Sequence, residues 1–114
     1  MLIEKLREFS PDVDEGIRRC VNNEEFYLRM VKMALESEDI GKLKERFDAG
    51  DIKGAFACAH NLKGVFGNLS LTPIFKPVSE LTELLRSREP VSDDGGRIAV
   101  IYEKIDELKK IMNV

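Results

Sequence analysis

A chain of 114 residues is long enough for one domain with a real hydrophobic core and needs no disulfide or metal staple. Charged residues make up 34% and the apolar set 43%, an ordinary soluble globular balance. The formal net charge of −3 excludes the basic character expected of a general nucleic-acid or anionic-membrane binder, so neither partner is expected.

The opening segment, Met1 to Ser10, lacks an apolar stretch of signal-peptide length, and no run approaches a membrane span. A cytoplasmic protein is the expectation. Cys20 and Cys58 form no CxxC pair, and with one histidine in the chain they complete no familiar zinc pattern; two reduced, buried thiols are expected and no metal site.

In chain order, every periodic segment reads helical and none alternates as a strand beyond a few residues. A short opening helix carries Leu2, Ile3, Leu6 and Phe9. Ser10-Pro11 caps and starts a second short helix, with Val13, Ile17 and either Cys20 or Val21 inward. Asn22 with Glu25 three residues on makes a capping-box-like start to a longer helix. Its stripe runs through Phe26, Met30, Met33, Ser37, Ile40, Leu43 and Phe47, with Tyr27, Val31 and Ala34 alongside. A kink or break is expected at Ser37-Glu38-Asp39, and a stop at Ala49-Gly50-Asp51.

Asp51 is the expected N-cap of the next helix, which reaches about Asn68. Thr72-Pro73 caps another with Ile74, Val78, Leu81 and Leu85 inward. Pro77 predicts either a later start or a bend there. Pro90 to Gly96 is a Ser-, Asp- and Gly-rich loop. A last helix presents Ile98, Ile101, Ile105, Leu108 and Met112. The sum is a single all-α domain over 1–114: an antiparallel four-helix bundle over 23–112, preceded by one or two short N-terminal helices over 1–21.

No catalytic triad, phosphate loop or evident carboxylate pair emerges from these segments. What stands out is the single histidine, His60. On a helical projection the mean direction of Ile52, Ala55, Phe56, Ala59, Leu62, Phe66 and Leu69 lies roughly 130° from it, so His60 points to solvent. On its own side, at i−3, i+4 and i+7, stand Ala57, Gly64 and Gly67. Lys63, at i+3, can place an ammonium beside the ring, and Lys53 lies two turns earlier on the same face. Glycine costs about 1 kcal/mol relative to alanine in a helix interior, so two glycines on one exposed face call for a reason.

One reason is close approach of a macromolecule. An exposed neutral imidazole is a competent nucleophile near neutral pH. A phosphoryl group placed on it would be offset by Lys63, and small neighbours would let the ring enter an acidic pocket, toward which Lys53 adds attraction. The spacing is equally compatible with an inert surface histidine, and with glycines that serve close helix packing.

The segment His60-Asn61-Leu62-Lys63-Gly64, followed by Asn68-Leu69, resembles the signature of the histidine-containing phosphotransfer (HPt) domains of two-component phosphorelays. Asp12 to Arg19, Asn23 to Arg29 and Ala49-Gly50-Asp51 resemble the family's leading segments and the entry to its histidine helix. The resemblance implies that His60 is phosphorylated, that Lys63 supports the phosphoryl group and that Gly64 clears space for the partner, with Lys53, Ala57 and Gly67 as further partner contacts.

It also implies a carrier rather than a turnover enzyme, working as a monomer between receiver domains, or a hybrid sensor histidine kinase and a receiver. Mg²⁺ then belongs to the receiver and not to this chain. A regulatory module that binds a receiver or kinase without phosphorylation is the alternative, and half of a dimeric phosphotransferase a weaker third reading. Two departures from the family pattern are visible: Ser70 stands where glycine is frequent, and Pro77 falls within a helix that is usually uninterrupted.

Overall fold

The computed structural model describes residues 2–87, 89–93 and 96–114, and these form helices joined by short turns, with no strand among them. The helices are α1 (Leu2–Phe9), α2 (Val13–Arg19), α3 (Glu24–Leu35), α4 (Glu38–Asp48), α5 (Ile52–Asn68), α6 (Thr72–Leu85) and α7 (Arg97–Met112). The all-α helical bundle expected from the periodicity is thus present. Of the expected loop from Pro90 to Gly96, Asp94 and Gly95 lie outside the described residues.

α5 is the central member. It packs against α4 on one side and α6 on the other; α6 packs on α7, and α7 meets α1 and α3. Ala55 and Ala59 are wholly buried in α5, and their small side chains allow its neighbours to come close. Leu62 and Phe66 continue the buried stripe, facing a core that includes Leu43, Ile74, Leu81, Leu85, Ile101, Ile105 and Leu108. Each such side chain contributes roughly 1.5–3 kcal/mol by leaving water.

At Ser37-Glu38-Asp39, where a kink or break was expected, the helical stretch divides into α3 and α4. Ser37 takes an extended conformation, and its hydroxyl accepts from the Asp39 amide, so the chain stops and is capped afresh. Glu38 and Asp39 then sit in the favourable first turn of α4. The break also corrects the expected stripe. In α3 the buried residues are Tyr27, Val31, Ala34 and Leu35, while Phe26 and Met33 are 40% and 57% exposed. A stripe drawn through an unbroken helix cannot hold phase across a non-helical residue.

The capping residue of α3 differs as well. Asn23, not Asn22, accepts from the Phe26 amide. Asn22 is taken up in closing α2, where its amide donates to the Ile17 carbonyl and both it and Val21 adopt φ near +58°. Cys20 turns inward there and Val21 outward.

α5 begins as expected, with the Asp51 carboxylate accepting from the Gly54 amide. At its far end Leu71 N–H donates to Phe66 and Ser70 N–H to Gly67, the paired bonds of a Schellman turn. Ser70 holds the left-handed position of that turn at φ +55°. The departure at Ser70 therefore has a physical meaning: glycine adopts this conformation freely and serine under strain.

α6 starts at Thr72 despite Pro77, which lies buried inside the helix. Pro73 sits in the first turn, where a missing N–H costs nothing. Thr72 does not act as the cap; its hydroxyl donates to the Asp12 carboxylate instead. At α7 the Asp93 carboxylate accepts from the Arg97 and Ile98 amides and so caps the helix. Tyr102 in α7 inserts its hydroxyl into the α4 ladder, accepting from the Lys44 amide and donating to the Ile40 carbonyl.

Candidate functional site

The turn that ends α5 is held by α2, α3 and the α1–α2 junction. Arg19 Nη1 donates to the Gly67 carbonyl at 2.9 Å, the Tyr27 hydroxyl to Leu69 at 2.7 Å and the Ser10 hydroxyl to Ser70 at 2.8 Å. Carbonyls at a helix C-terminus run out of partners within their own helix; the Tyr27 and Ser10 hydroxyls satisfy the buried Leu69 and Ser70 carbonyls, and Arg19 adds an exposed bond to Gly67, which already accepts from the Ser70 amide. Burial, and after it Cys20, pushes the Tyr27 phenol above its ordinary value, which keeps the donating proton in place. The far half of the helix that carries His60 is fixed in this way from outside.

The near half is fixed by α4. Arg46 Nη1 donates to the Gly54 carbonyl and to Cys58 Sγ, each at 3.4 Å. Cys58 is buried, and burial followed by the charge of Asp39 raises its thiol pKa, which favours the neutral thiol. Cys20 is likewise free and buried.

His60 lies exposed in the middle of this braced helix. Among the described residues the imidazole has no hydrogen-bond partner, but it is not without support. The Phe56 ring one turn earlier stacks on it, with centroids 5.9 Å apart and planes 19° from parallel. Phe56 is a residue that the apolar stripe assigned to the core alone; its ring is buried and also forms one wall for His60. The guanidinium of Arg86, the C-cap of α6, sits 5.6 Å from the Phe56 centroid. It forks onto Glu83, with Nε to Oε2 at 2.8 Å and Nη2 to Oε1 at 3.0 Å.

Lys63 is half-buried on the α6 side of His60. Arg86 foremost, with Lys63 contributing, holds the Glu83 carboxyl below its usual range. No positional signal in the sequence marked Glu83 or Arg86, because they enter from another helix.

The two glycines part company. At Gly64 an added Cβ would meet nothing within 4 Å, so open space adjoins the exposed ring. At Gly67 a Cβ would lie 2.9 Å from the Phe75 ring of α6. The room left by Gly67 is therefore filled from within the fold, and the packing reason for a glycine applies there and not at Gly64.

His60, Lys63, Gly64 and Gly67 border one open concavity of roughly 540 Å³, whose far wall is Asp12, Glu15 and Arg19. Lys53 and Ala57 are exposed on the same helix but lie outside it. Nothing in the sequence marks Asp12, Glu15 or Arg19 as neighbours of His60; their place opposite it arises from the fold. Among the described residues no cluster of three or more His, Cys, Asp or Glu could hold a metal ion. None of the described helices is long and apolar enough to cross a membrane.

The site is thus a braced all-α bundle that displays one exposed imidazole beside a lysine and a glycine with open space around it. The family model of the Hpt domain matches residues 29–111, and the chain belongs to that family. No curated protein and no solved structure matches the chain. Membership ties the protein to phosphorelay, two-component signalling, in which Hpt domains serve as phosphotransfer carriers and interact with receiver domains and kinases. The matched span begins after α2, which with its N-cap Asp12 supplies the far wall of the concavity.

Proposed function

We propose that His60 accepts a phosphoryl group from the phospho-aspartate of a receiver domain and passes it to a second receiver. An imidazole nitrogen attacks phosphorus with its lone pair, the P–N bond forms, and the acyl P–O bond breaks as the aspartyl carboxylate leaves. Onward transfer reverses these steps on another aspartate. Lys63 offsets the charge that arrives at the ring.

The observation that carries this reading is the empty space at Gly64 beside an exposed imidazole. A nucleophile that must enter another protein's acidic pocket needs its helix surface bare on the approach side, and position 64 supplies that bareness. Ala57 adds only a methyl group, and Lys53 adds a positive charge on the same face toward an acidic partner. Stacking on Phe56 limits the ring's rotamers before the partner arrives. In this reading the chain acts in the cytoplasm as a monomer, and Mg²⁺ is bound by the receiver's carboxylates.

The test is incubation with a phosphorylated receiver. Label should appear on this chain in an acid-labile, base-stable form and vanish in His60→Gln. Label that persists in His60→Gln would remove the assignment, and binding that survives His60→Ala with no transfer at all would favour a purely regulatory module.

A further inference from the structure

The reading above uses one cation, Lys63, yet a second one packs against the aromatic ring on which His60 stacks. Arg86 lies 5.6 Å from the centroid of the Phe56 ring, and that ring stacks on His60 with centroids 5.9 Å apart. A guanidinium offers five donors in a planar fork and suits phosphoryl oxygens better than any other side chain. It is not free for that task. Glu83, three residues earlier on α6, takes two of its donors in a bidentate pair.

We propose that Glu83 and Arg86 form an exchangeable charge pair, in which Arg86 moves from the Glu83 carboxylate to the phosphoryl group when His60 is phosphorylated. The proposal rests on His60 being the phosphoacceptor. Glu83 is then a positioning residue that opposes phosphohistidine by competing for its cation, and Arg86 supports it.

Several observations favour exchange over a fixed structural pair. Both side chains are more than half exposed, at 53% for Arg86 and 57% for Glu83, so neither is locked by packing. An exposed ion pair adds little to folding stability, which leaves its bidentate form and its place beside the stack unexplained by stability alone. The phosphoryl group brings about two negative charges to the ring, more than the single charge by which Glu83 retains the guanidinium. The charge of Lys63 also acts on the Glu83 carboxylate, which places that carboxylate within the electrostatic reach of both cations.

The two members of the pair give a test with opposite signs. Purified protein is phosphorylated with phosphoramidate: the imidazole nitrogen attacks phosphorus, the P–N bond of the reagent breaks and ammonia leaves with its electron pair. Decay of phosphohistidine in buffer is then followed, water forming the new P–O bond as the imidazole recovers the pair of its own P–N bond. Glu83→Gln should lengthen the half-life and Arg86→Ala should shorten it, each by about two- to five-fold. Glu83→Asp and Arg86→Lys should fall between wild type and the neutral variants.

A purely structural pair predicts that both losses act in the same direction. Half-lives that move together, or do not move, overturn the exchange while His60 stays the acceptor. A wild type that takes no label on His60 overturns the acceptor assignment itself, and the exchange with it.

Discussion

Tyr27 in α3 and Leu69 at the end of α5 are joined by a buried hydrogen bond, hydroxyl to carbonyl, at 2.7 Å across 42 residues of sequence. Tyr27 is fully buried, so the Leu69 carbonyl has no water to fall back on. Tyr27→Phe should lower the unfolding free energy by about 1–3 kcal/mol, the cost of an orphaned buried acceptor. Urea denaturation measures it, and an unchanged midpoint would mean the carbonyl finds another donor. The raised phenol pKa means that folding favours the protonated form. This contribution is fully present below pH about 10 and is lost as pH rises above it toward the folded-state value.

The same junction explains Gly16. A Cβ there would lie 2.4 Å from the Leu69 carbonyl oxygen and 2.7 Å from Tyr27 Cε1. Alanine normally gains about 1 kcal/mol over glycine inside a helix. At Gly16 the clash with backbone wins, and Gly16→Ala should destabilise by about 1–3 kcal/mol. A stabilised variant would show that α2 can slide away without loss.

Ser70 offers the opposite case. It occupies the left-handed position of the α5 terminal turn at φ +55°. Ser70→Gly should raise stability by up to about 1 kcal/mol by removing the Cβ strain. A lower denaturation midpoint would instead assign a stabilising role to its hydroxyl.

Gly64 and Gly67 separate clearance from packing. Gly64→Ala should raise stability by about 0.5–1 kcal/mol, whereas Gly67→Ala should gain none of it because the Phe75 ring must move. Thermal denaturation compares the two. Gly64→Gln should fold as well as wild type yet slow phosphoryl transfer by roughly tenfold or more, since a slight misplacement of reacting groups is costly. Unchanged transfer would detach Gly64 from partner clearance.

Helical periodicity was enough to place α5, α6 and α7 to within a few residues. Long stripes such as Ile98, Ile101, Ile105 and Leu108 must bury on one side whatever they pack against. The same logic failed in α3, where Phe26 and Met33 were assigned inward. The Ser37 break resets the helical phase, and Tyr27 must face Leu69 to reach its carbonyl. Local capping was legible at Asp51 and missed by one residue at Asn23, because Asn22 had a competing use in closing α2.

The exposure of His60 and the nearness of Lys63 follow from one helix, since residues three apart on a single helix are neighbours before any folding occurs. The sequence alone therefore determined an all-α chain with a solvent-facing histidine, an adjacent cation and a family signature. Tertiary structure decided that Gly64 is open while Gly67 is filled by Phe75. It also brought Arg19 across from α2 and set Glu83 of α6 and its C-cap Arg86 beside the Phe56–His60 stack. Those relations join residues far apart in the chain, and only the docking of one helix on another fixes which of them meet.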